Sequence, residues 1–89
     1  MRVIERGKGL WSDHAADNAD RLGLDWNDVV SIADATEGVR REKDDAAVDG
    51  YKYAFVGRDC QRRRTYMAGK VVLYAEERLW RVITIHEAD

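Results

Sequence analysis

"SDHAADNADRLGLDWNDVVSIADATEG", residues 12–38, decides the fold. Ser12 is a strong helix N-cap, because its hydroxyl can take up an unpaired N–H of the first turn. Asp13 and Asp17 suit the positive end of the helix dipole. Ala15, Ala19 and Leu22 recur at spacings of four and three, which gives a narrow apolar stripe. Gly23 then supplies a C-terminal stop. Asp25 caps a second helix, in which Trp26, Val29, Val30 and Ala33 share one face with Ile32 at its edge. Gly38 closes it. So few residues part the two helices that the segment predicts an αα-hairpin.

On either side the pattern changes. Upstream, "MRVIERG" (residues 1–7) predicts a short leading strand or an ordered arm. Downstream of Gly38 the period becomes two. "GVRREKDD" reads as a charged strand or loop, and "AAVDG" as a turn ending in an Asp-Gly pair that suits a hairpin. "YKYAFVG" puts Tyr51, Tyr53 and Phe55 on one side and Lys52 on the other. "RDCQR" is a further turn. "RTYMAGKVVLYAEE" is a long strand with a bulge signal at Gly69. "ERL" turns, and "LWRVITIHEA" is the last strand. Alternation places Trp80, Val82, Thr84 and His86 on one face of it, and Leu79, Ile83 and Ile85 on the other. A strand apolar on both faces belongs in the interior of a sheet. The expected fold is α+β: an N-terminal helical hairpin packed on a three- to four-stranded antiparallel sheet.

Bulk properties bound the function. Eighty-nine residues, 45% of them hydrophobic and none proline, make one small domain over residues 1–89. The single Cys60 forms no internal disulfide, so nothing calls for an oxidising compartment and a cytoplasmic location is expected. No run of 18 apolar residues predicts a membrane span. The formal net charge of −2 hides a split. Residues 1–50 hold seven Lys/Arg against twelve Asp/Glu; residues 51–89 hold eight against five. A basic C-terminal half on an acidic chain predicts a local anion site rather than general adhesion to nucleic acid, so DNA is not an expected partner.

"DCQRRRTY" (residues 59–66) focuses that charge. Arg62, Arg63 and Arg64, with Arg58 nearby, are permanently charged forks that suit phosphate oxygens. Alternation points Arg62 and Arg64 one way and Arg63 the other, and puts Tyr66 on the face of Arg64. The competing reading is a solvated strand edge guarded by charge. Arg40, Arg41 and Lys43 form a second basic cluster, with Arg41 and Lys43 on one face; Lys52 adds a further cation. The aromatic residues Tyr51, Tyr53, Phe55 and Trp80 supply core, or a face on which an unpaired base stacks. His86 is a natural proton-transfer group, because histidine changes charge near neutral pH; the competing reading is a solvated terminal residue. His14 is expected to pack or cap near its helix start. No spacing fits a metal site and no cofactor is implied. Arginines beside Cys60 are expected to lower its thiol pKa, but no His or Asn signature supports cysteine catalysis.

Asn18-Ala19-Asp20-Arg21-Leu22-Gly23-Leu24-Asp25-Trp26 resembles the helical segment of MqsR-type toxins. Gly57-Arg58-Asp59 and Arg81-Val82-Ile83-Thr84-Ile85 resemble the turn and final strand of BrnT-like toxins. Both belong to the RelE-like superfamily of small ribonuclease toxins, and the resemblance runs roughly from Trp11 to Ala88. It implies a metal-independent endoribonuclease, cleaving RNA by 2′-OH attack on or off the ribosome, and held inactive by a cognate antitoxin protein. Tyr66 matches the family's third-strand tyrosine, and His86 lies near its C-terminal basic residue. Lys43 is the nearest match to the lysine of a Phe-Tyr-Lys triplet, without the Phe-Tyr. The family's glutamine position falls near Ala54. Tyr66, His86, Arg64 and Lys43 are thus the implied catalytic set, and Arg41, Lys52, Arg58, Arg62 and Arg63 the phosphate-binding set. The departures equally suit a non-catalytic RNA- or protein-binding regulator, such as a phage-borne inhibitor, on the same scaffold.

Overall fold

A computed structural model describes residues 2–5 and 8–88. The elements in order are α1 (Arg2–Glu5), β1 (Leu10–Trp11), α2 (Asp13–Leu22), α3 (Trp26–Asp34), β2 (Gly38–Lys43), β3 (Tyr51–Arg58), β4 (Arg64–Tyr74) and β5 (Glu77–Glu87). The fold is α+β. Its sheet has five strands in the order β1-β5-β4-β3-β2. The last four elements form an antiparallel meander, as expected. The two-residue β1 adds a fifth strand parallel to β5, so the sheet is mixed.

Both caps act as the sequence predicts. Ser12 Oγ accepts from the Ala15 N–H, and Gly23 ends α2 in the left-handed region. Asp25 and Asp28 form a reciprocal capping box at the start of α3. The helices do not form a mutually packed hairpin. α2 lies over β5 and α3 over β3, so each meets the sheet far more than the other helix. α2 also replaces a missing strand. Beyond Val82 the outer edge of β5 has no β1 to pair with. There Ser12 Oγ donates to the Ile83 carbonyl and the Asn18 side chain to that of Ile85. This is why Asn18 is buried in a helix otherwise packed through alanines.

One core forms between the helices and one sheet face. It joins Ala15, Ala19, Val29 and Ile32 to Phe55, Met67, Val71, Trp80, Val82 and Ile85. Ile32 is fully buried, so it is a centre of the α3 stripe rather than its edge. Gly57 lets α3 come close: a Cβ there would sit 2.2 Å from the Ile32 carbonyl oxygen.

Other expectations also need correction: α3 ends at Asp34, and Gly38 opens β2 rather than closing the helix. The leading segment contains the short helix α1, not a strand; Arg6 and Gly7 lie outside the described residues. The final turn is at Ala75–Glu76, both at positive φ, and β5 already begins at Glu77. Arg62 is not strand: its φ of 66° places it in the turn, and β4 starts at Arg64. Most consequential is the bulge. Ala68 pairs with Thr84 but Gly69 pairs with Val82, so Ile83 is an extra residue in β5. It reverses the alternation. Trp80, Val82 and Ile85 face the helices, whereas Thr84 and His86 face the other way, opposite Ala68 and Tyr66.

Candidate nucleic-acid interface

The sheet face away from the helices is open, and cross-strand register sorts its side chains into rows. The central row is Arg40, Ala54, Ala68 and Thr84. On one side lies Val56, Tyr66 and His86; on the other, Glu42, Lys52, Lys70 and Arg81. Two alanines and a threonine between long side chains make a groove across the strands. A cleft of about 370 Å³ opens along it, lined by Arg40, Lys52, Ala54, Tyr66, Ala68 and Thr84 among others. With strands about 4.8 Å apart, four of them give a floor about 14 Å long, which is room for a few nucleotides of single strand.

One wall is aromatic. The Tyr66 and His86 rings stack with centroids 4.8 Å apart and planes 21° from parallel. His86 Nδ1 is 2.8 Å from the Glu87 backbone carbonyl. A carbonyl only accepts, so Nδ1 carries the hydrogen and, in the neutral ring, Nε2 carries the lone pair. The other wall is cationic. Lys52 pairs with Glu42 at 3.0 Å, and Lys70 with Asp44 at 3.2 Å. The Glu42 hydrogen bond and charge raise the Lys52 pKa, so this ammonium stays charged. Beyond the aromatic wall comes a further row, Arg58 and Arg64.

The arginine run divides by role. Arg64 does share the open face with Tyr66, but its guanidinium is engaged with Glu37, at 2.8 Å through Nε. That bond, foremost among the causes, holds the Glu37 carboxyl below its usual range. Arg63 is a structural brace. Its Nε donates to the buried Asp59 carboxylate at 2.8 Å, and its guanidinium reaches the Leu22 carbonyl at the end of α2. Asp59 also accepts from the Gln61 and Arg63 N–H groups, so it organises the whole turn. Arg58 and Arg62 are exposed around a second hollow with Ser31 and Cys60.

Lys43 does not join Tyr66, and Arg41 borders the cleft but turns its guanidinium to the other side of the sheet. Their register partners Tyr51 and Tyr53 belong to the helix-side rows, and the Arg41 guanidinium lies 4.5 Å from the centre of the Tyr51 ring. Arg40, the member of that cluster set aside by the sequence reading, points into the groove instead. Alternation along β2 carried the signal, but the register against β3 was needed to tell which face is which. The Cys60 expectation also reverses. Desolvation first, and then the Asp28 carboxylate to which the thiol donates, push its pKa up. His14 sits on the exposed side of α2, with Nε2 3.4 Å from the Asn18 amide nitrogen; the cap is Ser12 instead. Among the described residues no group of three or more His, Cys, Asp or Glu gathers as metal ligands, and no helix is long and apolar enough to cross a membrane.

No family model, curated protein or solved structure matches the chain.

Proposed function

We propose that the open sheet face binds a single RNA strand and cleaves it without a metal. The observation that carries this is the Tyr66–His86 stack, with His86 Nε2 as the lone-pair nitrogen, set between two cationic rows. Bases stack on the aromatic wall, and every base has a face to offer. Phosphates run along Lys52, Lys70 and Arg81, whose charge holds the strand whatever its sequence.

The chemistry uses this chain's own groups. His86 Nε2 takes the proton of a ribose 2′-OH. The 2′ oxygen attacks the adjacent phosphorus, forming the new P–O bond while the bond to the 5′ oxygen breaks. The Tyr66 hydroxyl returns a proton to that leaving oxygen, and Lys52 or Arg58 stabilises the charge that builds on the phosphate. The products are a 2′,3′-cyclic phosphate and a free 5′-OH. The succession of helices and then an antiparallel meander supports the RelE-like resemblance. On that reading a cognate antitoxin protein would act by covering the groove, and a cytoplasmic location follows from its RNA target.

A second reading, a non-catalytic RNA-binding regulator, is favoured by two observations: Lys43 stands on the other face, and Arg64 is engaged with Glu37. Incubating the protein with mixed-sequence RNA and EDTA separates the two. The first reading expects fragments ending in 2′,3′-cyclic phosphate, lost in His86→Ala and reduced in Tyr66→Phe. Binding without cleavage supports the second. Cleavage that persists in both variants removes this site from consideration.

A further inference from the structure

We infer that the groove selects guanine, read by Arg40; this rests on the RNA-binding reading above. Arg40 closes the end of the central row, where Ala54 and Ala68 leave the floor open. It lines the same cleft as Tyr66. Its side chain is exposed, and among the described residues it has no carboxylate or hydrogen-bond partner, whereas Lys52, diagonal to it on β3, pairs with Glu42. Phosphate binding already has a wall of its own in Lys52, Lys70 and Arg81. Arg40 stands off that wall, in the row where a base stacked against Tyr66 presents its edge.

The chemistry of the fork selects the base. A guanidinium donates two parallel N–H groups, and on the Hoogsteen edge guanine alone of the four RNA bases offers two acceptors, O6 and N7, in matching positions. Adenine puts its N6 amino donor where O6 would be, so one arm of Arg40 would face a donor. Pyrimidines lack N7 altogether, and the acceptor pair of cytosine, O2 and N3, lies on its Watson–Crick edge instead. A lysine offers a point charge without the fork, so Lys at this position would keep the attraction and lose the selection.

The test measures binding of fluorescent single-stranded hexamers of 2′-O-methyluridine, which has no free 2′-OH and so cannot be cleaved. One central position carries guanine, adenine, hypoxanthine or 7-deazaguanine. The wild type is expected to bind the guanine hexamer about tenfold more tightly than the adenine one. Hypoxanthine, which keeps O6 and N7, should match guanine, and 7-deazaguanine should fall towards adenine. Arg40→Ala and Arg40→Lys should both bring guanine and adenine to equal affinity. Arg40 is an exposed edge-strand residue, and an unchanged melting temperature confirms that the variants fold. Equal guanine and adenine affinities in the wild type, or a preference that survives both substitutions, overturns the inference while leaving the groove as an RNA site. Failure of every hexamer to bind overturns the RNA-binding reading and this inference with it.

Discussion

Replacing Gly69 with alanine tests the element that sets the site's geometry. Gly69 is buried at the centre of β4, beside the bulge that turns Thr84 and His86 to the open face. A Cβ there would lie 2.4 Å from the Arg81 carbonyl oxygen and 2.7 and 2.9 Å from two indole carbons of Trp80. The first contact is with backbone and cannot swing away. The others meet a fully buried ring that packs against Phe55 with centroids 5.7 Å apart. Overpacking of this kind costs about 1–3 kcal/mol, and the rigid partners place Gly69→Ala near the top of that range. For a chain this size about 1 kcal/mol moves the melting temperature by about 5 °C, so the fall should be about 10–15 °C. Thermal unfolding by far-ultraviolet circular dichroism measures it, and near-ultraviolet ellipticity reports the displaced indole. A fall below about 3 °C would refute the argument that Trp80 and the Arg81 carbonyl leave no room.

Three further outcomes follow from the geometry. Ala75 and Glu76 form a two-residue hairpin turn with φ of 49° and 64°, a shape that suits Asn-Gly; the double replacement should raise the melting temperature by about 5 °C, from about 1 kcal/mol. Burial opposes ionisation of Asp28, but N–H groups of Asp25 and Cys60, the Cys60 thiol and the Arg63 charge outweigh it and lower its pKa. The folded carboxyl is thus more acidic than the unfolded one at about 3.9, so its stabilisation is present above that pH and is lost as pH falls through the folded value. Urea midpoints measured from pH 6 to pH 2 should decline less steeply below pH 4 in Asp28→Asn than in wild type. Burial and the same carboxylate push the Cys60 thiol pKa up, so alkylation by iodoacetamide at pH 8 should be slower than for a free cysteine and faster in Asp28→Asn.

What the sequence made legible was local. Ser12, Gly23 and Asp25 mark helix ends through their own side chains or backbone freedom, and each acts there. The central placement expected for β5 holds only in part: β4 pairs one edge in full, whereas β1 covers the other at Arg81 and Val82 alone. What failed was parity across a distance. Simple alternation put His86 beside Trp80, and one extra residue at Ile83 sends them to opposite faces. The glycine opposite was visible as a bulge signal, but the bulged residue lies on the other strand, where nothing local marks it. β1 was hidden for a similar reason: a two-residue strand has no period, and only pairing with Arg81 and Val82 defines it. The arginines of residues 62–64 look alike in sequence, yet they part into a turn residue, a brace to Asp59 and a partner of Glu37. Their carboxylates come from the turn itself and from the residues after α3. The face to which Arg40 belongs is set by register with β3, a non-local property that the sequence of β2 does not carry.

The most direct measurement maps where RNA touches the chain. A titration of isotopically labelled protein with a single-stranded 2′-O-methyl RNA hexamer, followed by amide and aromatic NMR shifts, uses an uncleavable ligand and so separates binding from chemistry. The largest shifts are expected at Arg40, Ala54, Tyr66, Ala68, Thr84 and His86, with upfield ring-current shifts at Tyr66 and His86. Shifts confined to α2 and α3, or none at a millimolar excess of RNA, would contradict the RNA-binding reading.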